Sequence, residues 1–238
     1  PSVLFAALLY TIPESPRWLV LMGRDSDAGS VLSRIGDSNV TAALNQIKDS
    51  ISQTEISEPL FQKKYWKPIL IAFFVATFNQ LSGINAINYY APRILEAAGV
   101  FRESALLQSI FIGMTNLIFT MLGMVVIDKF GRKNLLYIGS VFMTIALLSV
   151  AAGFKYESLG GYYMLFSLML YIAAFAMSLG AVIWVLISEV FPTSVRAKGQ
   201  VFGSMTHWAW CAILTWVFPT LVESGLSVPT FCFFAIMA

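Results

Sequence analysis

The feature that most constrains this chain is a series of long stretches without a single Asp, Glu, Lys or Arg. A bilayer core about 30 Å thick needs about 20 apolar residues in a helix, because unpaired backbone groups are not tolerated in hydrocarbon. Five stretches meet this requirement: residues 68–92, 104–127, 134–154, 158–188 and 199–222. The sequence therefore predicts five complete membrane-spanning helices.

Shorter apolar segments lie at both ends of the chain. Residues 1–10 are expected to form the last turns of a further membrane helix, and residues 224–238 the first half of another. Because a stable product would not expose two half-spans, we expect this sequence to be a longer chain truncated on both sides. Only 12% of the residues are charged, against about a quarter in an ordinary soluble domain. We therefore expect most of the chain to lie in a lipid bilayer.

The only long polar segment covers residues 11–67 and mixes both signs of charge. Apolar residues recur within it at the spacing of one helix face: Val31, Leu32, Ile35, Leu44, Ile47 and Ile51. This pattern predicts short amphipathic helices at the membrane surface, with a break around Asp37.

The basic residues indicate which side of the membrane this segment occupies. If residues 11–67 are cytoplasmic, the loops after the second and fourth spans are also inside, and twelve of the fifteen basic residues fall there. Cytoplasmic connections of membrane proteins are enriched in Lys and Arg. The net charge of only +2 gives no support to a nucleic-acid partner.

Charged residues cluster at the predicted cytoplasmic ends of two spans. Residues 128–133, Asp-Lys-Phe-Gly-Arg-Lys, fill a tight loop, and the fourth span ends at Glu189 with Arg196 following. A carboxylate at the end of a membrane helix is costly unless it is paired. Arg132 and Arg196 are the natural partners of Glu189, although the loop could also serve only to set the topology.

A polar run interrupts the first predicted span at residues 79–90, Asn-Gln-Leu-Ser-Gly-Ile-Asn-Ala-Ile-Asn-Tyr-Tyr. So many hydrogen-bonding groups must face protein or water, and Gly83 can break the helix locally. Broken helices in the bilayer midplane commonly form binding sites of transporters, and uncharged amides suit sugar hydroxyls. The alternative is hydrogen bonding between helices, worth only about 0.6 kcal/mol a contact.

Other functions find less support in the residues. Cys211 and Cys232 lie in apolar stretches without metal-ligand spacing, and we interpret them as packing or lipid-facing residues. No acid lies in the middle of a span and His207 is the only histidine. Because no triad, carboxylate pair or metal cluster can be assembled from these residues, we expect no enzyme activity, no cofactor and no metal.

Four motifs together resemble the sugar porter family of the major facilitator superfamily. Residues 13–19 resemble its P-E-S-P-R-[WYF]-L motif, residues 128–133 its D-x-x-G-R-[RK] motif, and residues 184–196 its W-x-x-x-x-E-x-F-P-x-x-x-R motif. Residues 79–90 resemble the Q-Q-[LF]-x-G-I-N-x-x-x-Y-Y segment of its seventh helix. The match is nearest to bacterial proton-coupled xylose symporters and facilitative glucose transporters.

The resemblance implies an all-α transmembrane fold, the carboxy-terminal six-helix bundle of a major facilitator protein preceded by cytoplasmic helices. Residues 1–10 would end the sixth transmembrane helix, residues 11–67 would form the cytoplasmic linker, and residues 68–238 would supply helices seven to twelve. It also implies a multi-pass protein of the plasma (inner) membrane, with the amino-terminal half of the same transporter as its partner.

The resemblance also implies the residues of a sugar site. The implied ligand-binding residues are Asn79, Gln80, Asn85, Asn116, Trp184, His207 and Trp208, and Tyr89 and Tyr90 would close over its outer side. His207 stands where relatives have an amide, so it could relay a proton or act as a neutral polar group. Leu179-Gly180-Ala181 stands where relatives usually have Gly-Pro, so we expect a kink that is either softer or rests on Gly180 alone.

The implied function is transport of a monosaccharide, a hexose or pentose, by alternating access, with protons as the candidate coupling ion. Salt bridges on the inner side would hold the outward-facing state, formed by Glu14, Arg17, Asp128, Arg132, Glu189 and Arg196. Facilitative transport, transport of a cyclic polyol such as inositol, and a sugar receptor that does not transport stay open. The membrane-embedded acid that couples protons in symporters would lie in the other half.

Overall fold

The computed structural model describes residues 2–36, 39–54 and 58–238, and no strand occurs in these ranges. The chain divides into two compact units, Pro1–Glu58 and Pro59–Ala238. Because these ranges contain helices and no strand, backbone hydrogen bonds are made within helices. A segment that spans a membrane without forming a β-barrel must satisfy its backbone groups in this way. The predicted all-α fold is confirmed.

The described residues of the first unit form four helices, α1 (Ser2–Thr11), α2 (Pro16–Leu21), α3 (Asp25–Arg34) and α4 (Val40–Thr54). Helix α1 is apolar, whereas α3 buries Ala28 and Leu32 and exposes its polar face. An ion pair from Lys48 to Asp25 links α4 to α3. The predicted short amphipathic helices are present; the predicted break around Asp37 lies outside the described residues.

The second unit contains eight helices: α5 (Trp66–Leu81), α6 (Ile84–Ala97), α7 (Arg102–Phe130), α8 (Arg132–Lys155), α9 (Gly160–Phe175), α10 (Ala181–Val190), α11 (Arg196–Glu223) and α12 (Ser227–Met237). By length and hydropathy they supply five membrane spans, in which α5 and α6 together form one and α9 and α10 another. Helix α12 is a shorter apolar helix. The five predicted spans are confirmed.

The first span breaks at Gly83, between α5 and α6. Gly83 has φ 87°, a left-handed conformation that side chains disfavour. A Cβ atom at this position would also lie 2.4 Å from the Phe234 ring of α12. Glycine is thus required twice, by the backbone turn and by the close approach of α12, and the break predicted at this residue is confirmed.

A π-helical turn, Ala176–Gly180, separates α9 from α10. Two glycines of neighbouring helices allow it to pack closely: a Cβ at Gly123 would lie 3.1 Å from the Ala176 carbonyl oxygen, and one at Gly139 would lie 2.1 Å from Ser178 Oγ. The interruption expected at Gly180 is present as a π turn that ends at this residue. A π turn holds one inserted residue and is a known cause of bending in a helix.

The core of the second unit lies mainly between α6, α8, α9 and α12. Tyr171 is fully buried there, and its hydroxyl donates a hydrogen bond of 2.9 Å to the Ser82 carbonyl at the end of α5. This bond satisfies a backbone group that the helix break leaves without a helical partner. The outer faces of α7 and α8 instead expose large apolar side chains such as Leu117, Val125 and Ile145, which suits contact with lipid.

Candidate sugar-binding site

A cavity of about 190 Å³ opens beside the helix break, between α5, α6, α10 and α11. Its polar lining comes from Asn79, Gln80, Asn85, Asn88 and His207, and aromatic rings come from Phe175, Trp184 and Trp208. Of the nine ligand-contacting residues expected from the sequence, six therefore lie together at one cavity. Its small volume matches a small ligand rather than a drug-sized one, which takes about 300–1,000 Å³.

The amides form a directional chain of hydrogen bonds. Asn85 Nδ2 donates to Gln80 Oε1 over 3.0 Å, and Gln80 Nε2 donates to Asn79 Oδ1 over 3.2 Å. Gln80 Nε2 also lies 3.0 Å from His207 Nε2. Because Gln80 is fully buried and engaged at both ends of its amide, its orientation is fixed by its neighbours.

One donor at the cavity has no protein partner. Asn79 is 1% exposed, and its Nδ2 makes no hydrogen bond to any residue that the structure describes. An unsatisfied buried donor costs about 1–3 kcal/mol. Asn79 thus carries an unsatisfied buried donor beside the cavity, and its contact with a ligand stays a prediction.

Two indoles flank the His207 ring. The Trp184 and His207 ring centroids lie 4.9 Å apart at 57°, and those of His207 and Trp208 lie 5.3 Å apart at 82°. Trp184 is 37% exposed and Trp208 58% exposed, so both indoles reach the open side of the cavity. An indole face packs well on the C–H groups of a sugar ring.

Cys211 is a neighbour of the site that the sequence did not predict. It is buried within the bundle, and Asn85 Nδ2 lies 3.1 Å from its Sγ. The interpretation of Cys211 as a packing residue is therefore correct, and the lipid-facing alternative is wrong for this residue. Its spacing of four residues from His207 on α11 was the available signal, since such residues share a helix face.

Three other expected site residues lie outside the lining of this cavity. Asn116 is half-buried on α7 and accepts a hydrogen bond of 3.3 Å from Thr120 Oγ1. Tyr90 donates to the Thr215 carbonyl over 3.0 Å, and Tyr89 is exposed. Ligand contacts by these three residues stay predictions.

Among the side chains of the second unit that the structure describes, one expected inner salt bridge is seen. Arg132 Nη2 donates to Glu189 Oε1 over 3.1 Å and joins the start of α8 to the end of α10. The expected pairing of Glu189 with Arg196 is absent here, because Arg196 Nε lies 3.4 Å from the Phe191 carbonyl instead.

The expected pairings of the remaining residues of the inner network stay predictions. Glu14 and Arg17 are exposed residues of the first unit. The Asp128 side chain lies outside the described residues. The gating role of these groups stays a prediction.

Two known proteins that resemble this chain are sugar transporters by name. The chain is 38% identical over 232 residues, 97% of its length, to the D-xylose-proton symporter of Escherichia coli (strain K12). It is also 38% identical over 211 residues, 87% of its length, to the glucose facilitated diffusion protein of Zymomonas mobilis. It covers 47% and 44% of these two proteins. The chain thus spans about half the length of the relatives it matches.

A solved structure agrees in fold. The chain superimposes over its whole length on 51% of the proton:xylose symporter XylE of the major facilitator superfamily bound to 6-bromo-6-deoxy-D-glucose, with a TM-score of 0.80 and 36% identity. A model of the family described as sugar (and other) transporter matches residues 1–238. Together with the five apolar spans, these matches confirm the resemblance seen in the motifs: the chain belongs to the sugar transporter family, whose members are multi-pass integral membrane proteins.

Proposed function

We propose that the protein to which this chain belongs transports a monosaccharide, a hexose or a pentose, across the plasma membrane by alternating access, together with protons. The observation that supports this most is the helix break at Gly83, where a hydrogen-bonded amide chain, a free Asn79 donor and two indoles line one cavity. Relatives of this chain carry the names of a D-xylose-proton symporter and a glucose facilitated diffusion protein.

The chemistry of the lining selects a neutral polyhydroxyl ligand. Within the described part of the chain, no Asp, Glu, Lys or Arg lines the cavity, so nothing there pairs with an ionic substrate. Each amide can donate to one hydroxyl and accept from another. The carbon face of a pyranose ring would pack on Trp184 and Trp208, which are the exposed aromatic groups of the cavity.

The other half of the transporter would complete the site and supply the motion. Because Trp208 is 58% exposed, the cavity is open on one side, where we place the amino-terminal half of the same protein. Rocking of the two bundles around the sugar then exposes it to either side of the bilayer. Residues 1–10 would end the sixth transmembrane helix, residues 11–67 would form the cytoplasmic linker, and residues 68–238 would form the membrane bundle.

Counterflow of labelled sugar in liposomes containing the full-length protein tests this function. Liposomes preloaded with unlabelled D-xylose or D-glucose should accumulate the labelled sugar transiently, whereas a receptor would bind without exchange. Myo-inositol should compete poorly; strong competition would instead identify a cyclic polyol as the substrate.

Proton coupling is tested separately with a pH gradient. A symporter should concentrate D-xylose inside liposomes when the outside is acidified. Uptake that only equilibrates the sugar would show facilitated diffusion, the alternative that the name of the Zymomonas mobilis relative supports. Transport itself would stand in either case.

A further inference from the structure

We propose that Asn88 is a specificity-determining residue of the cavity, which binds one particular hydroxyl of the sugar and so distinguishes ligands that carry this hydroxyl from ligands that lack it. The proposal rests on the proposed sugar function and adds a ligand contact that is absent from the site residues implied by the resemblance. Asn88 lines the cavity together with Asn85 of the same helix, α6.

Asn88 stands at a position that the resemblance leaves open. In the segment Q-Q-[LF]-x-G-I-N-x-x-x-Y-Y the single N corresponds to Asn85, and Asn88 is the last of the three unspecified residues before the tyrosine pair. An amide within a membrane span is costly unless it meets protein, water or a ligand. The motif does not require an amide here, so the presence of one in this chain needs a cause of its own.

The side-chain amide of Asn88 is accessible and unpaired. Asn88 is half-buried, and in the described ranges its amide makes no hydrogen bond to another residue. Neither atom of this amide is fully buried, in contrast to the Nδ2 of Asn79. Such an amide keeps two N–H donors and two acceptor lone pairs available. It can therefore bind a hydroxyl without breaking an existing hydrogen bond.

The amides beside Asn88 are already engaged with their neighbours. Gln80 is fully buried, and its amide contacts Asn85 and His207. Asn85 Nδ2 donates to Gln80 Oε1 over 3.0 Å and lies 3.1 Å from Cys211 Sγ, which leaves Oδ1 as the unpaired atom of that amide. Asn88 is therefore the lining residue whose whole amide can adapt to a ligand.

Asn85 and Asn88 can contact two different hydroxyls of one ligand. Residues three apart share a face of a helix, with a rise of about 4.5 Å between them. The Oδ1 of Asn85 accepts a hydrogen bond, whereas the Asn88 amide can both donate and accept. A sugar that fills the cavity would give one hydroxyl to the Asn85 oxygen and another to Asn88.

A ligand that lacked the second hydroxyl would close the Asn88 amide in without a partner. A site that hydrogen-bonds a ligand hydroxyl rejects the analogue without it more strongly than an apolar pocket rejects a small change in size, because a polar group is left buried and unpaired. Among the described lining residues no Asp, Glu, Lys or Arg could replace the lost partner. Asn88 therefore selects by the presence of a hydroxyl.

Sugar binding by full-length Asn88→Ala tests this contact. The ligands are D-glucose, D-xylose and the monodeoxy derivatives of whichever sugar binds more tightly, measured by isothermal titration or, for weak ligands, by competition with the labelled parent sugar. Asn88→Ala should raise Kd for the parent sugar about fivefold or more. For the derivative that lacks the contacted hydroxyl, wild type and variant should agree within about twofold, because no hydrogen bond is left to lose.

Asn134→Ala is the matched control, because it removes an exposed amide of α8 outside the cavity. It should bind every sugar as the wild type does. Alanine is the best helix former, so Asn88→Ala should fold. If thermal unfolding shows that it does not, Asn88→Leu, which preserves the size of the side chain, should give the same pattern of Kd values.

The outcomes separate this contact from the function on which it rests. A folded Asn88 variant that binds the parent sugar as tightly as the wild type overturns the contact and leaves sugar binding intact. An equal loss for the parent sugar and all its derivatives also overturns it, because Asn88 then acts through the protein and not on a hydroxyl. A folded wild-type protein that binds neither D-glucose nor D-xylose overturns the proposed function, and the contact with it.

Discussion

Gln80 connects three helices through one side chain. It is bonded to Asn79 on its own helix α5, to Asn85 on α6 and to His207 on α11. A hydrogen bond between membrane helices is worth about 0.6 kcal/mol on average, so the two bonds that join different helices add little to the stability of the bundle. Their larger effect is to fix which atoms of the site face a ligand.

Replacing Gln80 with Leu should therefore weaken sugar binding far more than folding. We expect Kd for D-xylose or D-glucose to rise at least about tenfold, because Asn85 and His207 lose their partner and can turn. Gln108→Leu, an amide of α7 outside the cavity, is the matched control and should bind as the wild type does. Isothermal titration measures affinity and thermal unfolding measures stability; equal effects of the two variants would contradict this role of Gln80.

Trp184 gives a second test at the level of a single residue. Trp184→Ala should raise Kd about tenfold, since an aromatic face contributes about 0.5–1.5 kcal/mol beyond the area it buries. Trp184→Phe should keep most of the affinity. Trp216→Ala removes an indole from the same bundle that is 85% exposed and lies outside the cavity, and it should leave binding unchanged. Loss of binding with Trp216→Ala instead would place the sugar elsewhere.

Which residues line the site could largely be predicted from the sequence, but the hydrogen bonds between their side chains could not. The density of amides between Asn79 and Asn88 in an apolar stretch indicated a polar cavity without any coordinates. The contact of Asn85 with Cys211, and the free donor of Asn79, depend on how α11 is rotated against α5 and α6. No local pattern determines that rotation, because it results from packing of the whole bundle.

Two spans are interrupted, and the local sequence predicts one interruption better than the other. Gly83 lies within a polar run, and its positive φ is a conformation that glycine favours. The π turn at Ala176–Gly180 has no proline, and its fit depends on Gly123 and Gly139, which lie on other helices. A local signal therefore predicted the first interruption. The resemblance implied the place of the second at Gly180, but not its close packing against Gly123 and Gly139.

Gly83→Ala should destabilise the bundle through both of its constraints. The added Cβ would meet the Phe234 ring at 2.4 Å and would sit on a residue with φ 87°. Gly99→Ala is the matched control, because Gly99 has a similar φ of 85° but nothing within 4 Å of the added atom. Strain of a left-handed residue alone costs about 1–2 kcal/mol, so we expect a clearly larger drop in unfolding temperature for Gly83→Ala. Equal drops would show that contact with α12 does not require glycine.

At the scale of the whole molecule, the salt bridge of Arg132 with Glu189 lies at the end of the bundle where α10 leads into α11. Its side chains are 36% and 51% exposed, and exposed pairs contribute only about 0–1 kcal/mol to stability. A pair of this kind is poorly suited to hold the fold together. It is well suited to a contact that forms in one state of a transporter and breaks in the other.

Arg132→Ala in the full-length protein should accordingly slow transport more than it affects folding or binding. We expect the counterflow rate to fall about fivefold or more, with Kd within about twofold and the unfolding temperature within about 4 °C of the wild type. The exchanged pair Arg132→Glu with Glu189→Arg should recover part of the rate, because the attraction is restored with its charges reversed. Arg93→Ala removes an exposed partner of Glu223 at the opposite end of α11 and serves as the control. A transport rate that Arg132→Ala leaves unchanged, or that Arg93→Ala lowers equally, would rule out a specific gate at the Arg132–Glu189 pair.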